Sequence, residues 1–95
     1  MKEKEIQLYP IVGSFAENKD LARALRLKEI IPAIDNNKTV ILNFEGIDSA
    51  TQSFIHALIS DLIRKYGVKV LDSILFKNCN EITQRIISIV VDYMQ

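Results

Sequence analysis

Several residue types are scarce in this chain, and each scarcity excludes something. Cys79 is the one cysteine among 95 residues, so an internal disulfide is impossible and the composition fits a reducing cytoplasm. The three glycines stand singly and form no phosphate-binding loop. No apolar run approaches the length of a membrane span, and the charged N-terminus leads into no signal-peptide core. We therefore expect a cytoplasmic domain without a membrane partner.

An excess of one charge is also missing. Twelve basic and twelve acidic side chains give a formal net charge of zero, and the two signs are mixed along the chain. Because no basic stripe of the kind that binds nucleic acid is present, we expect no nucleic-acid partner. A single histidine and a single cysteine do not make a typical zinc site, and the carboxylates lack the spacing of a metal-binding loop. We expect neither a metal nor another cofactor.

Apolar residues are abundant, at 48% of the sequence. This content suffices for one hydrophobic core, and the length predicts a single domain covering residues 1–95. A chain this short is only marginally stable alone, so a partner protein or a homodimer would add stability.

The stretch 38–66 organises the chain. Val40–Phe44 is a near-continuous apolar run, typical of a strand that is covered on both faces. A short polar loop follows, and then a long amphipathic helix that ends at Gly67. The predicted apolar face of this helix comprises Ile55, Leu58, Ile59, Leu62, Ile63 and Tyr66, and the predicted polar face Gln52, Ser53, His56, Ser60, Arg64 and Lys65.

Two elements are predicted before this stretch. Ile6 and Leu8 indicate a first strand, which Ile11 and Val12 could extend until Gly13 and Ser14 end it. Pro10 makes it a short or an edge strand because proline cannot donate to a ladder. A helix should begin near Asn18, although Ser14 has capping-box spacing too. Pro32 should end or kink this helix near Ile30. The apolar stripe of the helix is predicted to contain Leu21, Ala24, Leu27, Ile31 and Ile34.

Two further elements are predicted after it. Residues 73–76 should form a strand, and Asn78 has capping-box spacing with Glu81. Residues 82–93 have helical spacing of apolar side chains, although the β-branched residues of 86–91 would also suit a strand. The predicted apolar stripe of this last helix contains Ile82, Ile86, Ile89, Val90 and Tyr93. The resulting order is β-α-β-α-β-α, which predicts an α/β fold with a mostly parallel sheet packed by helices.

Short motifs connect residues 12–91 to a known family. The buried strand ends in Leu42-Asn43-Phe44, a Gly46-Ile47 step follows, and Thr51-Gln52-Ser53-Phe54 opens the long helix. Phe76-Lys77-Asn78 precedes the last helix, and Gly13-Ser14-Phe15 with Leu21-Ala22 enters the first. In these motifs the chain resembles a bacterial family of STAS-like domains of unassigned function, related to the anti-sigma factor antagonists.

The resemblance implies a non-catalytic regulatory module that binds another protein. The partner would be a histidine-kinase-type ATPase or another regulator. STAS domains of this kind are switched off by phosphorylation of a serine in an Asp-Ser-Ser-Gly segment, at whose four positions this chain has Thr51, Gln52, Ser53 and Phe54. Gln52 stands at the usual phosphoacceptor position, and Ser53 matches the second serine. The match itself offers Thr51 and Ser53 as phosphoacceptors, and position alone adds Ser49. Asp48 and His56 border the same predicted surface and complete the candidate partner-binding residues.

Simpler interpretations stay open beside these. Thr51 and Ser53 could be helix caps with no further role. A triad of Ser53, His56 and Asp48 has local spacing and no nucleophile elbow, so we expect no enzyme. Cys79 at a helix start could have a lowered pKa and sense redox state. Asn43 should be a satisfied buried amide or, as we favour, an anchor for the loop.

Two alternative functions also stay open. The chain could be a self-associating structural subunit, assembled through the edge strand near Pro10 or through an exposed apolar helix face. It could also bind a small ligand without catalysis in an apolar pocket with converging polar groups.

Overall fold

The computed structural model describes residues 2–94. In chain order the elements are β1 (Glu3–Gln7), α1 (Tyr9–Val12), β2 (Phe15–Ala16), α2 (Lys19–Leu25), a π-helical segment (Arg26–Ile30), α3 (Ile31–Asp35), β3 (Thr39–Asn43), β4 (Ser49–Ala50), α4 (Gln52–Tyr66), a 3₁₀ segment (Val68–Ser73), β5 (Ile74–Lys77) and α5 (Glu81–Met94). Within residues 2–94, no helix is both long enough and apolar enough to cross a membrane.

The main sheet confirms the predicted α/β architecture. Its three strands are parallel and lie in the order β1–β3–β5, so the apolar strand β3 is central. β1 is an edge strand as predicted, but the extension of this strand to Ile11 and Val12 is wrong. Both residues lie with Pro10 in the short helix α1, where a proline in the first turn is tolerated. A second parallel pair, β2 with β4, was not predicted; at two residues each, these strands are too short to give a sequence pattern.

The two faces of the main sheet differ, and the expectation that both would be covered is wrong. Leu42 is buried on one face, in register with Ile6 and Phe76. The other face stays open: Leu75 is 50% exposed and Ile41 is only half-buried. The edge strands place charged side chains on this open face, where Lys77 Nζ lies 3.9 Å from Glu5 Oε1. The apolar run of β3 therefore overstates how much of the sheet is covered.

The first helical run starts as predicted but continues differently. Asn18 caps α2, since its Oδ1 accepts hydrogen bonds from Asp20 N (2.9 Å) and Leu21 N (3.2 Å). Of the two outcomes predicted for Pro32, an end of the helix near Ile30 is wrong, whereas a change in the helix does occur there. The run changes to π-helical hydrogen bonding and passes through Pro32 into α3. The wider π turn, a known local distortion of helices, accommodates the proline that cannot donate a backbone hydrogen bond.

The predicted apolar stripe of this run is also displaced. Leu27 is exposed, whereas Arg26 is buried. The buried side is formed by Ala22, Leu25, Arg26, Ile30 and Ala33. A hydrophobic pattern could not place a charged residue inside, so it selected the neighbouring face.

The last segment is a helix, which confirms that prediction over the strand alternative. Its cap is Asn80, whose Oδ1 accepts from Thr83 N at 2.8 Å, and not Asn78. Of the predicted stripe, Val90 is buried and Ile86 packs partly buried against the core, but Ile82, Ile89 and Tyr93 are exposed. Thr83 and Ile87 complete the buried face instead. Because nearly every residue of 86–91 is apolar, the sequence pattern cannot select one face.

Candidate functional site

Thr51 fixes the start of α4, and its role as a cap is confirmed. Its Oγ1 accepts a hydrogen bond from Phe54 N at 3.0 Å, and its own backbone N–H donates to Ala16 O at 3.0 Å. The first bond satisfies one of the free amides of the helix terminus, and the second ties the helix to β2. The half-buried Thr51 hydroxyl is therefore already engaged.

Asp48 and Ser49 lie beside this cap but are held by other elements. Asp48 N donates to Ser14 O at 2.7 Å, and the Asp48 carbonyl accepts from Asn80 Nδ2. Ser49 is half-buried in β4, in register with Phe15. The exposed carboxylate of Asp48 thus sits where the chain segments before β2 and before α5 meet.

Ser53 and His56 lie together along a cleft of about 530 Å³. Ser53 is exposed at the second position of α4, one turn before the half-buried His56. His56 Nδ1 lies 3.3 Å from Ser60 Oγ, and Ser60 is buried despite its predicted place on the polar face. Among residues 2–94, no hydrogen bond joins the side chains of Ser53, His56 and Asp48, so the geometry gives no support to a catalytic triad.

The cleft has α4 as its floor and helices on both sides. One wall is basic and comes from α2 and the π-helical segment, and the other is largely apolar and comes from α5. We call this the basic cleft; it is lined by Lys19, Arg23, Arg26, Gln52, Ser53, His56, Ala57, Ser60, Asp61, Arg64, Ile89, Val90 and Tyr93.

Arg26 joins the basic wall to the floor. Only 7% of the residue is exposed, and its Nη1 donates to Ala57 O while Nη2 lies 3.1 Å from Asp61 Oδ2. Asp61 also binds Arg64 at 2.8 Å, so two guanidinium groups share one carboxylate. The buried Nε of Arg26 has no hydrogen-bond partner in the described chain. Arg26 thus fixes the two helices together and holds its charge at the base of the cleft.

The basic cleft concentrates positive charge in a chain whose formal net charge is zero. Its lining includes four cationic side chains and one carboxylate, a net charge of +3 with His56 counted as neutral. Lys19 and Arg23 have no carboxylate partner within 4.0 Å among residues 2–94. Sequence reasoning missed this set because it examined charge along the chain. The signal was the spacing of residues 19, 23 and 26, which share one side of a helix.

Cys79 is unsuited to the redox role that was left open. The half-buried thiol is desolvated, which raises its pKa to about 11 and keeps it protonated near neutral pH. Among residues 2–94, no three His, Cys, Asp or Glu side chains come together in a group that could hold a metal ion.

Asn43 anchors the polar edge of the main sheet, as predicted. The buried amide donates from Nδ2 to Glu5 Oε2 at 2.9 Å. Its Oδ1 accepts from Glu45 N at 2.9 Å and from Asn78 Nδ2 at 3.0 Å. One side chain therefore connects β1, the loop after β3 and the turn after β5. Asn78 has φ of +60°, outside the extended conformation of a helix cap, and it is Asn80, directly before Glu81, that caps α5.

The comparisons with known proteins agree with this fold. The model of a family described as STAS-like domain of unknown function (DUF4325) matches residues 22–84. That range extends from α2 through the central strand and α4 into the first turn of α5, and it includes Ser53 and His56. Comparison with curated proteins and with solved structures gives no match. The chain belongs to the family of STAS-like domains of unknown function.

Proposed function

We propose that this chain is a non-catalytic regulatory module that binds another protein through the surface around Ser53 and His56. The observation that carries the proposal is the shared cleft: both residues border unpaired cations at the N-terminal half of α4. Cations that complement an oppositely charged partner surface give specificity and fast association. Asp48 and Ser49 would lie at the rim of the same interface.

The partner we propose is a regulatory protein, with an ATPase of the histidine-kinase type as the first candidate. This part rests on the resemblance to anti-sigma factor antagonists and on the family membership. An acidic partner surface would complement the basic cleft, whereas a basic surface would be repelled by it.

A phosphate on Ser53 would switch this binding. Ser53 is exposed at the second position of α4, while the Thr51 hydroxyl is engaged as a cap and Ser49 is half-buried. A phosphate carries about −1.5 to −2 charges and is favoured near a helix N-terminus. It would therefore leave α4 folded and compete with the partner for Lys19 and Arg23.

Affinity capture from the native host tests the proposal. The unmodified chain, His56→Ala and the control Lys69→Ala are compared as baits, since Lys69 lies outside the basic cleft. Mass spectrometry identifies the partners and any phosphate on Ser49, Thr51 or Ser53. The purified partner should bind His56→Ala about tenfold more weakly than it binds the control. Equal binding of both variants would contradict the interface assignment.

Self-association is a second candidate, favoured by the open face of the main sheet. Leu75 is 50% exposed there, and within residues 2–94 each outer strand of the three-stranded sheet pairs along one edge only. If the chain forms a homodimer this way, the mass in light scattering should rise with concentration, and Leu75→Glu should abolish the rise. A constant monomer mass would contradict self-association.

A further inference from the structure

The basic cleft is long enough for a chain segment rather than a single ion. Its floor extends from Gln52 to Arg64 along α4. At 1.5 Å per helical residue this distance is about 18 Å, or more than three turns. A groove of that length, floored by one helix and walled by two others, accepts an extended or helical peptide.

The two walls of the groove differ in chemistry. Lys19 and Arg23 on one wall have no carboxylate partner among residues 2–94, and Asp61 on the floor is already shared by two arginines. On the opposite wall Ile89 is half-exposed and Tyr93 is 82% exposed. Exposed apolar side chains beside unpaired cations mark a surface that recognises charge on one side and apolar contact on the other.

We propose that the basic cleft binds an acidic amphipathic segment of a partner protein, in addition to the general interface proposed above, on which this inference rests. The carboxylates of the segment would pair with Lys19 and Arg23. Its apolar side chains would cover Ile89 and Tyr93. This arrangement is the helix-in-groove mode of peptide recognition with a charged wall added.

The charge of one wall and the exposed apolar side chains of the other favour an acidic amphipathic segment over a small anion. A free phosphate would satisfy Lys19 and Arg23 but would leave the apolar wall exposed to water. An apolar peptide would cover Tyr93 but leave three excess positive charges uncompensated along the cleft. Only a segment with both features satisfies both walls.

The proposal is tested with the full chain, labelled with ¹⁵N, and three probes in NMR titrations. The first probe is a synthetic helical peptide of about 12 residues, matched to the groove length, with glutamates on one face and leucines on the other. The second is a scrambled peptide of the same composition, and the third is inorganic phosphate. The amphipathic peptide should shift the amide signals of Arg23, Ser53 and Ile89 and bind about tenfold more tightly than the scrambled peptide.

Three variants locate the binding. Arg23→Glu should weaken binding of the amphipathic peptide by about tenfold or more, and Tyr93→Ala should weaken it by several-fold. Lys28→Glu is the matched control, because it also replaces an exposed basic side chain of the same helical run with glutamate, but outside the cleft. This variant should bind the peptide like the unmodified chain. Thermal unfolding of all three variants separates lost binding from lost folding.

Three titration results would overturn the inference. Equal affinity for both peptides would mean nonspecific electrostatic attraction. Shifts from phosphate that match those from the peptide would mean a small-anion site. No shifts, or shifts away from the cleft, would exclude the groove. If a captured partner depends on His56 but binds Arg23→Glu like the unmodified chain, this inference fails while the proposed function stands. If the peptide binds as expected but no partner is captured, the proposed function fails instead.

Discussion

Two clefts of similar size border α4, and they differ in charge: one runs along the helix from Gln52 to Arg64, and the other lies at its C-terminal residue Tyr66. The basic cleft has a volume of about 530 Å³ and a net charge of +3, with His56 counted as neutral. The second cleft, about 580 Å³, is bordered by two lysines and two aspartates. We call it the balanced cleft; it is lined by Ile34, Asp35, Asn37, Lys38, Thr39, Tyr66, Lys69, Val70, Asp72 and Ser73. Volume therefore does not distinguish the two surfaces, whereas charge balance does.

The difference shows which cleft carries positive charge that the protein itself does not neutralise. In the balanced cleft two aspartates offset the charge of two lysines, and the Tyr66 hydroxyl donates to Asp35 Oδ1 at 2.6 Å. In the basic cleft four cationic side chains face one carboxylate, and the N-terminal dipole of α4 adds positive potential beside Ser53. The cations of the basic cleft repel one another, and a bound anionic group would reduce this repulsion.

The largest expected effect on stability is at the joint between α2 and α4. Arg26→Ala removes two contacts of a buried side chain and leaves a void, so unfolding free energy should fall by about 2 kcal/mol. Asp61 keeps Arg64 as a partner, which limits the loss. Urea denaturation measures the change, with Arg23→Ala as an exposed control that should change stability by less than about 0.5 kcal/mol. Equal losses in both variants would show that Arg26 does not join the helices.

The cap of α4 should give the next largest effect. Thr51→Ala removes the acceptor for Phe54 N and should cost about 1 kcal/mol in thermal or urea unfolding. Ser53→Ala, two residues later, should cost close to nothing because Ser53 makes no cap bond. A larger loss at Ser53 than at Thr51 would reverse the assigned roles.

A negative charge at Ser53 tests whether the basic cleft favours an anionic group. Ser53→Asp adds a carboxylate in the first turn of α4 near unpaired cations, and should raise the unfolding free energy by about 0.3–1 kcal/mol at low salt. High salt should reduce the gain. Ser88→Asp in the middle of α5 is the matched control and should give no gain. A destabilised Ser53→Asp variant would argue against tolerance of a phosphate there.

The smallest effect is expected in the balanced cleft. Desolvation and the hydrogen bond to Asp35 raise the pKa of Tyr66 from its ordinary value of 10.0 to about 12. The protonated phenol is thus favoured in the folded state, so its contribution is complete below pH 10 and is lost as pH rises towards 12. Tyr66→Phe should cost a few tenths of a kcal/mol near neutral pH, because the group is partly exposed. The stability difference between the two proteins, measured against pH, should disappear in the alkaline range. A difference that grows above pH 10 would contradict the assigned direction.

The sequence predicted the elements better than it predicted their faces. The central strand, α4 and its Thr51 cap, and the helical nature of α5 all follow from strong local patterns. The buried faces of α2 and α5 did not follow. Arg26 is buried by contacts with Ala57 and Asp61, more than thirty residues away in sequence, and no local pattern contains those partners.

The residues of the candidate site also fall into a group that local sequence predicted and a group that it did not. Ser53 and His56 were predicted from the long helix alone, since one turn separates them. Lys19, Arg23 and Tyr93 come from helices at the two ends of the sequence, and only packing against α4 brings them to the same cleft. Thr51 and Ser49, predicted beside Ser53, turn out to be engaged in the helix cap and in β4.

The strand register has consequences for the speed of folding. Every strand pair described within residues 2–94 joins positions more than thirty residues apart, as Glu3 with Thr39, Phe15 with Ser49 and Val40 with Ile74. Closing such long loops costs chain entropy before the strand contacts form, so the sheet should assemble far more slowly than the turns of α4. The walls of the basic cleft come from α2 and α5, so a nascent chain acquires this surface only after α5 has emerged from the ribosome and docked on α4.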